Sequence, residues 1–498
     1  MPEETSIVPE AAPLAVALSD TTTPVPATAA ARDRRPPAAP SEAAAATPTG
    51  GGAAAADPRP AEPTAPEPPP APERIDLHAF QKNSLAQLFE LGASLGLRVG
   101  GSRSKHQLVF DICSHWGRRG TLFDCHGVLE VTRDGYGFVR DPIYSFLPQP
   151  DDVYMSPNII RRFGLKTGNF VTAIARSPRE KESFLSIDTV LTIEGVEVDQ
   201  WQQPKVFDSL TPLFPKSRII LENTASKSVS TRVIDILAPL GKGQRALICA
   251  PPRGGKTILL KEMAVAIRKN HPEVELMVLL LDERPEEVTD FRETVDSVVY
   301  ASTFDQMPDR HMQVAEIVIA RAQRLVENGR DVVVLLDSLT RLTRAYNNCG
   351  GGGAGGGGKA RLTSGGVDPK ALQKARKFFG SARNVEEGGS LTIVATALIE
   401  TESRMDEVIF EEFKGTGNME LQLDREMVER RIFPAINMQR SGTRNDDRLY
   451  HPDEFRCILG IRRQLAQLPA GEAMEVLVKN LRATQNNAEL LLSGLRLS

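Results

Sequence analysis

The chain has 498 residues, 41% of them hydrophobic and 25% charged, with a formal net charge of -4 and a pI near 6.1. That length exceeds one ordinary core, so two or three domains are expected of a chain whose composition is that of a globular protein. No run approaches the roughly 20 apolar residues of a membrane helix, and the slight negative charge excludes a global basic field, leaving local patches for any nucleic-acid contact.

Residues 1–74 are dominated by Ala, Pro, Thr and Glu, with almost no large apolar side chains. Such a segment cannot bury enough surface to offset its conformational entropy and reads as a disordered tail. It opens Met1-Pro2-Glu3-Glu4, with no basic stretch and no compact apolar segment. No secretory signal is therefore expected, and the expected location is the cytoplasm. The five cysteines, Cys113, Cys125, Cys249, Cys349 and Cys457, form no C-x-x-C pair and fit no zinc spacing. Unpaired thiols in a reducing compartment are the simplest reading.

Residues 75–119 read as a small helical subdomain. Ser84 is placed to cap a helix carrying Leu85, Leu88, Phe89 and Leu91, and a second helix fits Lys105 to Trp116. From 120 to 198 the texture changes to short runs separated by turn residues: Gly127 to Val131, Gly135 to Arg140, Val153 to Met155, Phe170 to Ala175 and Phe184 to Ile193. That spacing predicts a small β-barrel. A connector spans 199–235. Residues 236–498 alternate apolar strands (Ala246 to Cys249, Leu276 to Leu281, Val332 to Leu336, Leu391 to Leu398) with helical patterns. Continuous apolar strands between helices predict a parallel sheet covered on both faces. The fold class is thus multidomain α/β.

Ala250-Pro251-Pro252-Arg253-Gly254-Gly255-Lys256-Thr257 matches G-x-x-x-x-G-K-[ST] except that Ala replaces the first Gly. In such a loop the backbone N–H groups and the next helix's N-terminus face phosphate oxygens. Lys256 adds a point charge, Thr257 offers a hydroxyl to Mg²⁺, and Gly254 and Gly255 allow close approach of the backbone. Ala250 is tolerable if its φ is not positive. The adjoining Ile258 is counted with this nucleotide site, as is Arg253, which keeps a positive charge in the loop. A predicted strand before the loop and a helix from Thr257 to Lys269 after it argue against an ordinary glycine turn. Asp337 ends an apolar strand, where a buried carboxylate is costly without a function, and is assigned to the Mg²⁺ shell. In Asp282-Glu283-Arg284, Glu283 is the candidate to orient the attacking water and Arg284 to sense the γ-phosphate. A charged strand cap is the alternative for that cluster. ATP and Mg²⁺ are the expected cofactors.

In the barrel, Asp134-Gly135-Tyr136-Gly137-Phe138-Val139-Arg140 places Tyr136 and Phe138 two apart, on one sheet face. Exposed there, they would stack bases while Arg140 meets a phosphate. Turned inward, they would be core, and alternation alone does not say which face is wet.

Long ordered strings resemble the bacterial Rho transcription termination factors: Ala250 to Thr257, Leu279 to Val288, Asp337-Ser338-Leu339-Thr340-Arg341, Lys377 to Gly380, Glu386 to Ser390, Phe413 to Asn418, and Arg440-Ser441-Gly442-Thr443-Arg444. The resemblance covers about 78–498. It implies a homohexameric RNA-dependent ATPase and 5′ to 3′ RNA–DNA helicase that binds nascent RNA and releases the transcript, with RNA polymerase and elongation factors as partners. It implies an OB or cold-shock-like barrel in front of a RecA-like motor, and a preference for pyrimidine-rich, especially C-rich, RNA. It implies that Glu283 positions water, that Arg284 watches the γ-phosphate, that Arg444 is an arginine finger reaching a neighbouring subunit with Arg431 supporting it, and that Phe433 stacks on adenine. Gly241, Lys242, Gly243, Gln244, Arg245 and Ala246 match a further nucleotide-contacting stretch. Gly135 to Arg140 becomes an RNA-stacking strand, and Asp152, Val153 and Tyr154 with Glu182, Ser183 and Phe184 match a second patch with a cytosine-sized pocket. Two pore loops match Lys414 and the segment Arg361, Leu362, Thr363 and Ser364, the latter departing from the pattern by Arg361 and by the Gly run from Gly350 to Gly358 before it. A rotary or secretion ATPase subunit is the competing reading, though an aromatic barrel in front would be odd for it. A non-enzymatic RNA binder with a dead motor is a third, opposed by the presence of Lys256, Glu283, Asp337 and Arg444.

Overall fold

The computed structural model describes residues 70–99, 103–179, 182–223, 228–350 and 365–496. The tail through residue 69, the segment 351–358 and the predicted RNA-gripping residues Arg361, Leu362, Thr363 and Ser364 lie outside these.

The first described element is not tail. Strand Arg74–Asp76 pairs in parallel with Leu122–Asp124, and Arg74 Nε donates to Asp124 Oδ2 at 2.7 Å. Helices Leu77–Gln81, Leu85–Ser94 and Lys105–Gly117 follow. Ser84 caps the second reciprocally with Gln87, satisfying two orphan N–H groups as its sequence spacing predicts.

Five strands close a barrel: Leu122–Val131, Gly137–Arg140, Val153–Met155, Leu185–Ile193 and Phe170–Arg176, the last pairing back onto the first. Leu129, Val139, Val153, Met155 and Leu185 fill its inside and merge with the helical subdomain through Leu108, Ile112 and Trp116.

The second sheet runs Val298–Thr303, Glu275–Glu283, Asp331–Asp337, Ser390–Leu398, Arg245–Ala250 and Met419–Gln422, all parallel, with Gly442–Thr443 antiparallel at the far edge. Both faces are buried, which explains the unbroken apolar strands. Along Asp331–Asp337, Val333 and Leu335 enter one core, while Val332, Val334 and Leu336 enter the other. The first core is covered by Lys256–Asn270 and the C-terminal helices, the second by Pro308–Glu327, Leu339–Gly350 and Pro369–Gly380. Helix Val229–Leu237, within the stretch read as connector, is buried in the first core through Val233, Ile234 and Ile236, so the packed motor begins before residue 236.

The barrel is docked on the second face of this sheet. The Phe146 ring stacks on Tyr300 at 5.0 Å, Arg321 Nη1 reaches Glu194 Oε2 at 2.6 Å, and Gln313 Nε2 donates to Glu130 Oε1 at 2.8 Å.

Candidate nucleotide and RNA sites

All the parallel strands end on one side, where ligands bind in open α/β sheets. Ala250 is the last residue of its strand, and its carbonyl accepts from Ile399 N at 3.0 Å. Its backbone is ordinary strand, so a methyl group costs nothing there. The positive φ values fall on Arg253 at 63° and Gly255 at 86°. Helix Lys256–Asn270 starts at once, leaving its first N–H groups free for an anion.

Lys256 Nζ lies 2.6 Å from Asp337 Oδ2 and 2.9 Å from Glu283 Oε1. Thr257 Oγ1 stands 3.3 Å from Asp337 Oδ2, and Thr396 Oγ1 donates to Asp337 Oδ1 at 2.7 Å. Asp337 is fully buried. Glu283 reaches the cluster because its strand bulges: the register with Val298–Thr303 shifts between Leu281 and Glu283, and Asp282 takes a φ of 57°. A bulge of this kind re-aims a side chain beside a site. Arg341, on the helix after Asp337, closes the group with Nη1 3.1 Å from Glu283 Oε1 and a donor on the Asp282 carbonyl. Arg284, next in the chain, caps helix Pro285–Thr294 and is exposed.

Burial raises the Glu283 pKa, the Asp337 charge raises it further, and Lys256 and Arg341 pull it back only in part. Burial opposes the charge on Lys256, but Asp337 and Glu283 outweigh it and raise its pKa. The acid limb of kcat/KM for ATP hydrolysis, which reports the free enzyme's essential base, is therefore expected above the usual glutamate range. A pH profile whose limb sits at or below that range contradicts the assignment of Glu283.

The donors fit Mg²⁺. A hydroxyl and a buried carboxylate are hard oxygen ligands, and among the described residues no group of three or more His, Cys, Asp or Glu forms a dedicated metal cage. Mg²⁺ is commonly held by one or two carboxylates with substrate phosphates and water completing the shell.

Beside the loop, Phe433, Ile258, Gly254, Gly255 and Pro434 line a cleft of about 290 Å³. Phe433 and Ile258 are 49% and 62% exposed and together give the cleft an apolar wall beside the loop. Arg431, with φ of 60°, is exposed on the other side of Phe433, in a second cleft with Lys479 and Arg482.

Three predicted groups are not brought to this cluster. Arg444 lies beside the start of the Arg245–Ala250 strand, its N–H bonded to the Asn418 carbonyl at 2.8 Å. A strand of that length spans roughly 16 Å, so Arg444 cannot reach the phosphate loop of its own copy. Gly241 to Ala246 sit at the same remote end, where Lys242 Nζ pairs with Asp331 at 2.7 Å and Gly243 N donates to Thr392 Oγ1 at 2.8 Å. Lys414 is there too, sharing a cleft of about 270 Å³ with Arg440 and Arg444. By contrast, the loop after Leu398 opens at the phosphate end. Arg404, which starts helix Arg404–Lys414, is exposed, and its carbonyl would lie 2.9 Å from a Cβ on Gly365. Thr396 and Arg341 are further residues of the cluster, and only Arg341 carries a sequence signal, four residues after Asp337.

On the barrel the ambiguous aromatics face outward. Val139 and Val153 point to the core, while Phe138 and Tyr154 pair across the strands on the other face. Tyr136 and Phe138 ring centroids are 5.9 Å apart, Phe138 and Phe184 5.0 Å, and Tyr136 and Tyr154 5.6 Å. Gly135 takes a φ of 84° in the turn before this strand, and a Cβ on Gly137 would come within 2.8 Å of the Glu130 carbonyl. Arg140 differs from expectation: its guanidinium is buried between Asp152 and Glu130 (Nε to Oε2 2.8 Å) and stacks 4.8 Å from the Phe138 centroid. It braces the Phe138 ring from the same face of the strand rather than presenting a free charge. Burial pushes Asp152 up to about 6 despite Arg140. Glu182, held by Arg176 at 2.7 and 3.0 Å, is exposed with Ser183 beside Phe184.

An outward aromatic platform on a closed barrel, joined to a phosphate loop with its acid, base and hydroxyl assembled, defines an RNA-binding ATPase. Residues 125–199 match the family model described as Rho termination factor, RNA-binding domain, and residues 230–443 match that described as ATP synthase alpha/beta family, nucleotide-binding domain. Proteins named transcription termination factor Rho are similar over most of the chain. That of Akkermansia muciniphila is 53% identical over 429 residues, 86% of this chain and 89% of its own. That of Pseudomonas fluorescens biotype C is 47% identical over 421 residues (84% and 99%), and that of Aquifex aeolicus 48% over 416 (83% and 94%). The chain belongs to the Rho family of transcription termination factors, ATP-driven helicases that bind RNA. Among the described residues no helix is long and apolar enough to cross a membrane.

Proposed function

We propose that six copies form a ring that loads C-rich RNA on the barrels, moves along it 5′ to 3′ by ATP hydrolysis, and in the cytoplasm releases the transcript from RNA polymerase, alone or with elongation factors. The observation that carries this reading is the separation of Arg444 from Lys256 in a chain whose Lys256, Glu283 and Asp337 are otherwise assembled. A site lacking its finger within one copy calls for a second copy.

Thr257 and Asp337 would hold Mg²⁺, which would supply positive charge against the phosphates. Lys256 leaves its carboxylate partners for the phosphates. Glu283 then orients the water, Arg284 senses the γ-phosphate, and Phe433 and Ile258 sandwich the adenine edge of the cleft. Arg444 of another copy meets the transferring phosphoryl group, and Arg431 supports that contact across the interface. Gly241 to Ala246 fix the start of the central strand and so face the neighbour's side of the junction rather than their own nucleotide. Bases stack on Tyr136, Phe138, Tyr154 and Phe184, with Asp152, Glu182 and Ser183 shaping the pocket edge. Lys414 grips RNA in the pore together with Arg361, Leu362, Thr363 and Ser364, and it shares a cleft with Arg440 and Arg444.

ATP turnover measured with and without oligocytidylate tests the reading. Strong stimulation by RNA is expected, and stimulation should be lost in Phe138→Ala at RNA concentrations that saturate the native protein. Each stacked base contributes about 1–3 kcal/mol, so that variant should bind RNA roughly 5- to 150-fold more weakly with ATP affinity unchanged. RNA-independent turnover would contradict the coupling of ATP hydrolysis to RNA held by the barrel.

A further inference from the structure

A groove of about 1000 Å³ lies outside the motor. One wall is formed by Pro178, Arg179, Glu182 and Ser183 of the barrel; the other is the helical subdomain. The walls meet where Gly117, at the end of helix Lys105–Gly117, abuts Ser177 so closely that a Cβ would collide with it. Only the barrel wall falls within the matched RNA-binding domain.

The groove's chemistry is that of an anion path. Arg98, Arg103, Arg118 and Arg179 all line it. Arg103 is paired with Asp111, and Arg179 stands by Glu182, whose carboxylate Arg176 already holds with two bonds. Arg98 and Arg118 have no carboxylate partner among the described residues, and both are exposed. Ser114 and His115 complete the helical wall, with the Ser114 hydroxyl and His115 Nε2 themselves turned away from solvent.

The groove is continuous with the aromatic platform. Ser183 borders it, and the next residue, Phe184, stacks edge-on against Phe138 at 5.0 Å. A strand leaving the platform at Phe184 therefore meets the groove within one nucleotide step.

We propose that this groove is an extended RNA path, in which the strand stacked on Phe184 continues between barrel and helical subdomain with its phosphates against Arg98 and Arg118. This rests on the barrel being the RNA-binding domain and adds a second wall that the barrel alone does not supply. Single-strand contacts of this type are sequence-tolerant and strongly salt-dependent.

The test uses the full chain without nucleotide and oligocytidylates of two and about ten nucleotides, the longer within the ~4–16 that an OB fold covers. Arg98→Ala/Arg118→Ala should weaken binding of the longer RNA and reduce the slope of log affinity against log salt by about 1.4, at ~0.7 per phosphate contact. That makes the affinity change between 50 and 200 mM salt about sevenfold smaller. The dinucleotide, which fits on the platform, should show no such difference, and Arg98→Lys/Arg118→Lys should keep the slope. An unchanged slope for the longer RNA overturns the groove. So does an equal loss for both lengths, which would mean that the substitutions disturb the platform itself. If Phe138→Ala leaves both lengths bound as before, the platform reading fails, and the two failures are told apart.

Discussion

Replacing Arg444 with alanine is expected to lower RNA-stimulated ATP turnover by about 10³–10⁵-fold, the range over which a supplied arginine finger acts on phosphoryl transfer. Nucleotide binding should be nearly untouched. The geometry makes the split sharp. Within one copy Arg444 is on the Asn418 side of the sheet, while Lys256, Thr257 and Asp337 are at the other end of the same strands. Removing a side chain that lies beyond reach of its own nucleotide should leave KM for ATP near its native value and lower kcat. If ATP affinity falls as steeply as turnover, Arg444 acts on the fold of its own chain and the finger assignment is wrong. Arg444 also faces Lys414 and Arg440 across an open cleft, so the charge removed is one of three crowded cations and its loss should not unfold the strand pair.

Glu283→Gln should cost about 10²–10⁴-fold in turnover, the span of a positioned acid–base group. The amide keeps the size of the side chain and can still accept from Lys256 and Arg341, so the cluster should stay assembled. Lys256→Ala is the poorer probe of chemistry. It leaves Asp337 and Glu283 as two buried carboxylates without their cation, and breaking such a pair commonly costs about 3–5 kcal/mol. Single-turnover measurements with bound ATP check the expectation for Glu283→Gln. A variant that hydrolyses bound ATP at the native rate would move the water-orienting role elsewhere in the cluster.

Much of this site was readable before any coordinates. The phosphate loop, the acidic strand end at Asp337 and the two-residue spacing of Tyr136 and Phe138 are local patterns, and local patterns survive translation into structure. What sequence left open was set by tertiary contacts. Which face of the barrel strand is wet depends on Val139 packing against Leu129 and Val153, which alternation cannot reveal. Arg140 reads as a free phosphate ligand until Glu130, from a neighbouring strand, and Asp152, from the loop before Val153–Met155, enclose it. The reach of Glu283 depends on a bulge at Asp282, a residue that carries no bulge signature in a run of leucines. Gly241 to Ala246 are close to the phosphate loop in the chain but a full strand away in space. The outer strands Val298–Thr303 and Met419–Gln422 are likewise placed by the strands they pair with rather than by a local pattern.

The account centres on a nucleotide site shared between two copies of the chain, and mixing two inactive proteins tests it most directly. Lys256→Ala and Arg444→Ala proteins are each prepared alone, then unfolded or dissociated and reassembled together before ATP turnover is measured with oligocytidylate. In a randomly mixed closed ring of head-to-tail contacts, about a quarter of junctions join an intact loop to an intact finger. Turnover well above the sum of the two separate proteins, rising toward that fraction of the native rate, is the predicted result. Turnover no greater than that sum, in mixtures shown to contain both proteins in one assembly, would contradict a shared site and return Arg444 to its own chain.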